Sequence, residues 1–160
     1  MSLDLSKVVP SSQLAGESEQ DTMLLQKMLI EAETYLSSFE WCGDIEESYF
    51  GIGVGGVVAV FLFKIRTTRD EVDDWIWVIV GDLPPAYIST ENAPNPACAL
   101  DGYIRAMAEW VEAVKSGKPV SLLMPMNVPS TTDWANELQT RLEYLDREIL
   151  SYYRNDLVDY

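Results

Sequence analysis

The chain has 160 residues, of which 48% are apolar, and its 26 acidic and 11 basic residues give a net charge of −15. This balance disfavours contact with nucleic acid and with an anionic membrane surface, because both attract Lys and Arg. The chain has no histidine, which excludes Ser-His-Asp and Cys-His catalytic devices and removes the commonest transition-metal ligand.

The chain length suits one domain with its own core. We expect residues 1–17 to form a flexible N-terminal tail and 18–160 a single α+β domain. No signal peptide is visible at the N-terminus, so a cytoplasmic protein is predicted. Cys42 and Cys98 lie far apart in the sequence and suit reduced thiols, although a disulfide stays open. The uncharged stretch 48–63 is shorter than the roughly 20 residues of a spanning helix and contains several glycines, so no membrane span is expected.

The first predicted element is a helix. Ser18, with Asp21 three residues later, has the pattern of a helix N-terminus. Apolar residues then recur at helical spacing, which predicts a helix over Glu19–Ser38. An acidic connection follows, and it contains Asp44, Glu46 and Glu47.

Three strands come next: Ser48–Val54, Val57–Arg66 and Trp75–Val80. The third is continuously apolar, which indicates a strand buried on both faces. The segment 67–74 between the last two strands is rich in acidic residues but lacks the ligand spacing of an EF-hand, so no metal site is expected. The three strands form an antiparallel meander.

The second half of the chain contains two predicted helices. Asn95 and Pro96 are typical of a helix start, and Gly117 ends that helix. Val120–Met124 has the character of a short edge strand, because prolines flank it. Ser130 caps a last helix that reaches about Tyr153.

The element order is therefore α-β-β-β-α-(β)-α. It predicts an α+β fold in which a three-stranded or four-stranded antiparallel sheet packs against three helices, and the helices cover one face of the sheet.

Gly51–Gly56 formally matches the G-x-G-x-x-G pattern of dinucleotide-binding loops. That device needs a helix N-terminus directly after the glycines, because the helix amides bind the pyrophosphate. Here a β-rich stretch follows, so we expect a glycine-rich hairpin turn or bulge and no cofactor.

The turn after the third strand is the most specific candidate site. Gly81–Pro85 follows a buried strand directly, and Tyr87 and Ser89 alternate with an apolar residue beyond it. Asp82 fits two roles, since it could bond to the backbone amides of its own turn or contact a ligand together with Tyr87 and Ser89.

Two other groups are candidates for contact with a partner. Asp44, Glu46 and Glu47 suit an electrostatic contact with a basic protein better than acid-base catalysis. Met124 and Met126 form an apolar segment whose side chains adapt to other surfaces, which leaves a homo-oligomer open.

Trp77–Ser89 reads W-V-I-V-G-D-L-P-P-A-Y-I-S. It resembles an uncharacterised bacterial protein family with a W-x-V-x-G-D-L-P-x-x-Y-I-S core strand and turn. The resemblance covers the central half of the chain and implies a bacterial origin. It implies no activity and no catalytic residues.

Two functional hypotheses follow from the sequence. The first is a non-enzymatic, acidic protein-binding domain, in its sharpest form an immunity-like or antitoxin-like protein that masks a basic partner. The alternative is a small-molecule-binding protein or a carboxylate-based enzyme, with its site at the end of the strand 75–80. Whether the chain is an enzyme stays open, and neither hypothesis requires a cofactor or a metal.

Overall fold

A computed structural model describes residues 3–67, 74–120, 123 and 129–157. These residues form β1 (Val9–Pro10), α1 (Glu19–Ser37), β2 (Cys42–Val54), β3 (Val58–Thr67), β4 (Trp75–Gly81), β5 (Ala86–Ser89), α2 (Pro96–Lys115) and α3 (Thr132–Glu148). Short 3-10 helices lie at Leu5–Lys7, Ser11–Gln13, Thr90–Asn92 and Leu150–Asp156. The strands of the described residues form one antiparallel sheet in the order β1-β2-β3-β4-β5. The α+β fold is confirmed, and the sheet has five strands rather than three or four.

Helices cover both faces of this sheet, so the prediction that they cover one face is wrong. Alternate residues of β3 and β4 pack either against α1 or against α2 and α3. Every residue from Ile76 to Val80 is buried, which confirms that this apolar strand is covered on both sides. A strand that is buried on both faces needs apolar residues at every position, and β4 has them.

The starts of α1 and α2 confirm the sequence prediction. The Ser18 hydroxyl accepts a hydrogen bond from the Asp21 amide at 3.1 Å. Asn95 Oδ1 accepts one from the Cys98 amide at 2.9 Å, and Pro96 occupies the first position of α2. Each cap satisfies an amide that has no partner inside the helix.

Both ends of α3 differ from the prediction. Thr131 rather than Ser130 is the cap, because the Thr131 hydroxyl accepts a hydrogen bond from the Trp134 amide at 3.3 Å. The helix ends at Glu148, since Ile149 leaves the helical conformation with φ −123°. The chain continues to Asp156 as a 3-10 helix, not as the α-helix expected to reach Tyr153.

The strand β2 begins at Cys42, earlier than the predicted start at Ser48. The acidic segment 44–47 therefore lies within a strand and is not a connection. Acidic residues are depleted in strands, but pairing with basic residues across a sheet offsets that preference. The cross-strand partner here is β3, whose last four residues include Lys64 and Arg66.

The predicted N-terminal tail is partly folded. Val9 pairs with Phe50 and places β1 at the edge of the sheet. Val8 and Leu14 are buried at either side of this strand. Residues 8–14 are therefore part of the folded unit, in contrast to the flexible tail expected for 1–17.

Three predicted features lie partly or wholly outside the described residues. The first is the edge strand predicted at Val120–Met124. Only residues 120 and 123 of this segment are described, and neither lies in a strand. The acidic loop is another, because 68–73 are outside. Met124 and Met126 are both outside as well. The outer strand beyond β4 is instead β5.

Candidate functional site

The turn after β4 is held tightly against the hairpin that joins β2 to β3. Gly81 has φ +152°, and a Cβ added there would lie 2.2 Å from the carbonyl oxygen of Val57. The Asp82 amide donates a hydrogen bond to that same oxygen at 3.0 Å. Glycine is therefore required at 81 because a side chain would displace the neighbouring backbone. This contact fixes where Asp82 leaves the sheet.

Two clefts open beside Asp82, between this turn and α3. The larger has a volume of about 320 Å³ and the smaller about 230 Å³. Asp82, Leu83 and Arg141 line both. The larger is completed by Gly56, Val57, Thr140, Tyr144 and Leu145, and the smaller by Pro84 and Trp134. The predicted site at the end of β4 thus borders two clefts, and α3 supplies the opposite wall.

The charged groups at this position form an exposed ion pair. Arg141 Nε lies 3.3 Å from Asp82 Oδ2, and Arg141 Nη1 lies 3.7 Å from Glu137 Oε2. Both contacts are longer than the roughly 2.7–2.9 Å of a good charge-assisted hydrogen bond. The side chain of Asp82 is 72% exposed and that of Arg141 34%. Such a pair contributes about 0–1 kcal/mol, so a ligand can replace it at little cost.

Tyr87 does not join Asp82. Its ring lies on the face covered by α1, with ring centroids 5.1 Å from Phe39 and 5.2 Å from Trp41. Tyr87 pairs with Val78, whose side chain belongs to the core beneath α1. The pleat therefore directs Tyr87 to the opposite side of the sheet from α3.

Ser89 has a local structural contact. Its hydroxyl accepts a hydrogen bond from the Glu91 amide at 3.1 Å and caps the 3-10 helix Thr90–Asn92. It stands at the far end of β5 from the turn. Asp82, Tyr87 and Ser89 therefore do not converge on one site. The Asp82 carboxylate is bonded to Arg141 rather than to amides of its own turn.

The acidic cluster of β2 is paired with basic residues of β3. Glu47 lies 3.6 Å from Lys64 Nζ. Asp44 and Glu46 each lie 4.0 Å from the guanidinium of Arg66. These side chains are spread along two strands and line none of the clefts described above. Asp44 and Glu46 approach the same guanidinium at an exposed position and not within a cleft, so the arrangement favours ion pairing over acid-base work.

A different acidic surface lies on the outer face of α1. Met23 is 59% exposed and Ile30 is 65% exposed, two helical turns apart. Glu19, Glu31 and Glu33 surround them, and within the described residues none of the three forms an ion pair. We call these five residues the α1 surface. Apolar spacing does not indicate this surface, because the periodic stripe of α1 is the buried one, formed by Leu25, Met28, Ala32 and Leu36.

The glycine motif forms a hairpin turn, as predicted. Gly55 and Gly56 connect β2 to β3, and Gly56 has φ +79°. Gly51 lies within β2, where an added Cβ would be 2.6 Å from Pro96 Cγ. A strand and no helix follows the glycines, so the geometry of a dinucleotide loop is absent at this position.

Other site chemistry is limited. Cys42 and Cys98 are both thiols and not a disulfide. Burial raises the pKa of the Cys42 thiol, which disfavours the nucleophilic thiolate.

Among residues 3–67, 74–120, 123 and 129–157, no group of three or more Cys, Asp and Glu side chains is placed to hold a metal ion. Within the same ranges, no helix is both long and apolar enough to cross a membrane.

The cleft residues of α3 were also missed by sequence reasoning. Thr140, Arg141 and Tyr144 lie beside the buried stripe of Leu138, Leu142 and Leu145. The only indication in the sequence is that Arg141 directly precedes Leu142 of this apolar stripe, which places its side chain at the border of the buried face. The sequence does not indicate that this border lies beside the turn after β4.

Comparison with known proteins gave no match, whether with protein-family models, curated proteins or solved structures. The resemblance of Trp77–Ser89 to an uncharacterised bacterial family therefore stays a prediction. What the protein does must be inferred from the α1 surface and from the clefts beside Asp82.

Proposed function

We propose that the protein is a non-enzymatic, acidic protein-binding domain and that the α1 surface binds a basic protein partner. The observation that carries this proposal is the combination, on one exposed helix face, of two apolar side chains with carboxylates that lack an ion-pair partner among the described residues. An immunity-like or antitoxin-like protein, which masks a basic surface of a toxin, is the specific form we favour.

The charge distribution supports a basic partner. The chain has a net charge of −15, and α1 has four acidic residues with Lys27 as its single base. The carboxylates of β2 lie within 4.0 Å of Lys64 or Arg66. Among the described residues the three glutamates of the α1 surface form no ion pair, and Lys27, on the same exposed face, offsets only one of their charges. Uncompensated charge of one sign attracts an oppositely charged partner and raises the association rate.

The apolar residues support a contact of defined location. Met23 and Ile30 lie on one stripe of the helix, so a single partner surface can cover both. Protein interfaces typically place apolar side chains at the centre and charged groups at the rim. The α1 surface has that arrangement, with glutamates around two apolar side chains.

The experiment begins with a pull-down on the full chain, followed by identification of the partner and measurement of its affinity. The double variant Glu31→Lys/Glu33→Lys should then weaken binding at least 10-fold, and Ile30→Ala should weaken it several-fold. The matched control is Glu109→Lys/Asp146→Lys, which makes the same charge change at exposed positions of α2 and α3. It should retain most of the affinity of the wild-type protein.

Ionic strength provides a second readout. The association rate of the wild-type protein should fall as salt is added, and the α1 double variant should show a weaker dependence. The proposal fails if no basic partner is recovered, or if the α1 variant and the control variant lose equal affinity. Circular dichroism of each variant verifies that the fold is retained.

A further inference from the structure

We propose that the larger cleft beside Asp82 binds an α-amino acid with an apolar side chain. Asp82 would bind the ammonium group and Arg141 the carboxylate. This site is separate from the α1 surface, because α1 lies on one side of the sheet and α3, packed against α2, lies on the other. It defines a small-molecule function that the protein-binding proposal does not require.

The charges of the cleft favour a ligand with both signs. Asp82 and Arg141 line the cleft together, and each is the other's partner at 3.3 Å. A ligand with one ammonium and one carboxylate can replace this exposed pair with two pairs and leave no charge without a partner. Both groups extend into solvent far enough for the ligand to reach them, at 72% and 34% exposure.

Ligands with one charge fit less well. An anion would draw Arg141 away from Asp82 and leave that carboxylate without a partner, and it would enter a protein with a net charge of −15. A cation would take Asp82 and remove one of the two carboxylates that accompany Arg141. In each case the gain of one pair is offset by the loss of another. The zwitterion avoids this loss.

The rest of the cleft is suited to an apolar side chain. Val57, Leu83 and Leu145 line it, and the ring of Tyr144 is 44% exposed beside them. Its volume of about 320 Å³ is at the lower end of the range for small-ligand sites, which begins near 300 Å³. A branched or aromatic amino acid side chain would gain affinity here through the apolar area that it removes from water.

The test uses isothermal titration of the full chain with L-phenylalanine and L-leucine. Two analogues separate the charges: N-acetyl-L-phenylalanine lacks the ammonium group, and phenethylamine lacks the carboxylate. We expect saturable binding of at least one amino acid and at least 10-fold weaker binding of both analogues.

Two variants assign the charges to residues. Asp82→Asn should weaken binding of the amino acid at least 10-fold but should not weaken binding of N-acetyl-L-phenylalanine. Arg141→Gln should weaken binding of the amino acid at least 10-fold but should not weaken binding of phenethylamine. Arg147→Gln is the matched control, since Arg147 is an exposed arginine of α3 that pairs with Glu148 and lies outside the cleft. It should leave the affinity unchanged.

Several results would overturn the proposal: no saturable binding of either amino acid, analogues that bind as tightly as the amino acids, or an equal loss in Arg141→Gln and Arg147→Gln. The α1 double variant should bind the amino acid normally. Failure of the amino acid site is therefore distinguishable from failure of the protein-binding proposal. Circular dichroism establishes that each variant is folded. We expect both cleft variants to fold, because neither Asp82 nor Arg141 is buried.

Discussion

The Tyr103 hydroxyl donates a hydrogen bond to the carbonyl oxygen of Pro84 at 2.6 Å, and both residues are buried. This bond joins the middle of α2 to the turn that carries Asp82 and Leu83. Tyr103 therefore helps to position the wall of the larger cleft that contains Asp82, although Tyr103 itself does not line that cleft.

Replacement of Tyr103 by Phe tests this relationship. The variant leaves the Pro84 carbonyl buried without a donor, so we expect a loss of about 1–3 kcal/mol in the free energy of unfolding, measured by urea titration. Tyr152→Phe is the matched control, because Tyr152 is 80% exposed and its loss should be near zero. Equal stability of the two variants would show that the buried bond contributes little.

A second prediction concerns the close approach at Gly81. Gly81→Ala should destabilise the protein by about 2 kcal/mol or more, since its Cβ would lie 2.2 Å from a carbonyl oxygen. Gly102→Ala, within α2, is the matched control. Its Cβ would lie 4.0 Å from Ile88, and alanine favours a helix by up to about 1 kcal/mol over glycine. Thermal denaturation should move in opposite directions for the two variants, and a common direction would contradict the steric explanation.

A third prediction concerns Asn95, which is 5% exposed and has two roles. It caps α2 through the Cys98 amide, and its Nδ2 donates a hydrogen bond to the Asp156 carbonyl at 2.8 Å. Asn95→Ala should therefore cost about 2–3 kcal/mol, from the cap and from the lost long-range bond. Ser18→Ala removes only the cap of α1 and should cost about 1 kcal/mol. Chemical denaturation measures both, and equal losses would argue against a stabilising role for the Asp156 contact.

A fourth prediction concerns alkaline pH. Burial, with a smaller effect of Tyr87, raises the pKa of Tyr35 to about 12, whereas an unfolded tyrosine titrates near 10. Burial also raises the pKa of Tyr103. The unfolded chain thus loses these protons at lower pH than the folded chain, so stability is retained below about pH 10 and falls as the pH rises toward 12.

Urea titrations at successive pH values, with tyrosinate absorbance recorded in parallel, measure this effect. Tyr35→Phe should reduce the slope of stability against pH above pH 10, and Tyr152→Phe should retain the slope of the wild-type protein. A wild-type stability that rises from pH 10 to 12 would show that the assigned direction is wrong.

The local part of the fold is predictable from sequence. The caps at Ser18 and Asn95 depend on a few adjacent residues, so both helix starts are correct. The glycine turn and the buried character of β4 are also local properties. The start of α3 is less predictable. Ser130 and Thr131 are adjacent hydroxyl residues that can both cap a helix, and the spacing alone does not show that Thr131 is the cap.

Other differences between prediction and structure depend on long-range relationships. The acidic residues of the first part of β2 predict a connection, because such residues are depleted in strands. Only the alignment with Lys64 and Arg66 explains its pairing. The placement of helices on both faces was implicit in the apolar strand Trp75–Val80, since such a strand needs cover on each side.

The candidate site shows the same division. Asp82 was identified because it follows a buried strand, and it does border a cleft. Arg141 is distant from it in sequence, and its place depends on how α3 packs against α2. Proximity in sequence predicts that Tyr87 and Ser89 lie near Asp82, but the register of β5 directs them elsewhere.

The strand order also has a consequence for how the chain folds. Every strand pairs with its neighbour in sequence, and β2 to β5 are joined without an intervening helix, so three successive hairpins build four of the five strands. Short loops close at low entropic cost, and local contacts are associated with fast folding. Between β1 and β2 lies the whole of α1, so this pairing closes a longer loop than any hairpin of the sheet and is expected to form more slowly. We therefore expect the hairpins of β2 to β5 to form first and β1 to pair with β2 afterwards.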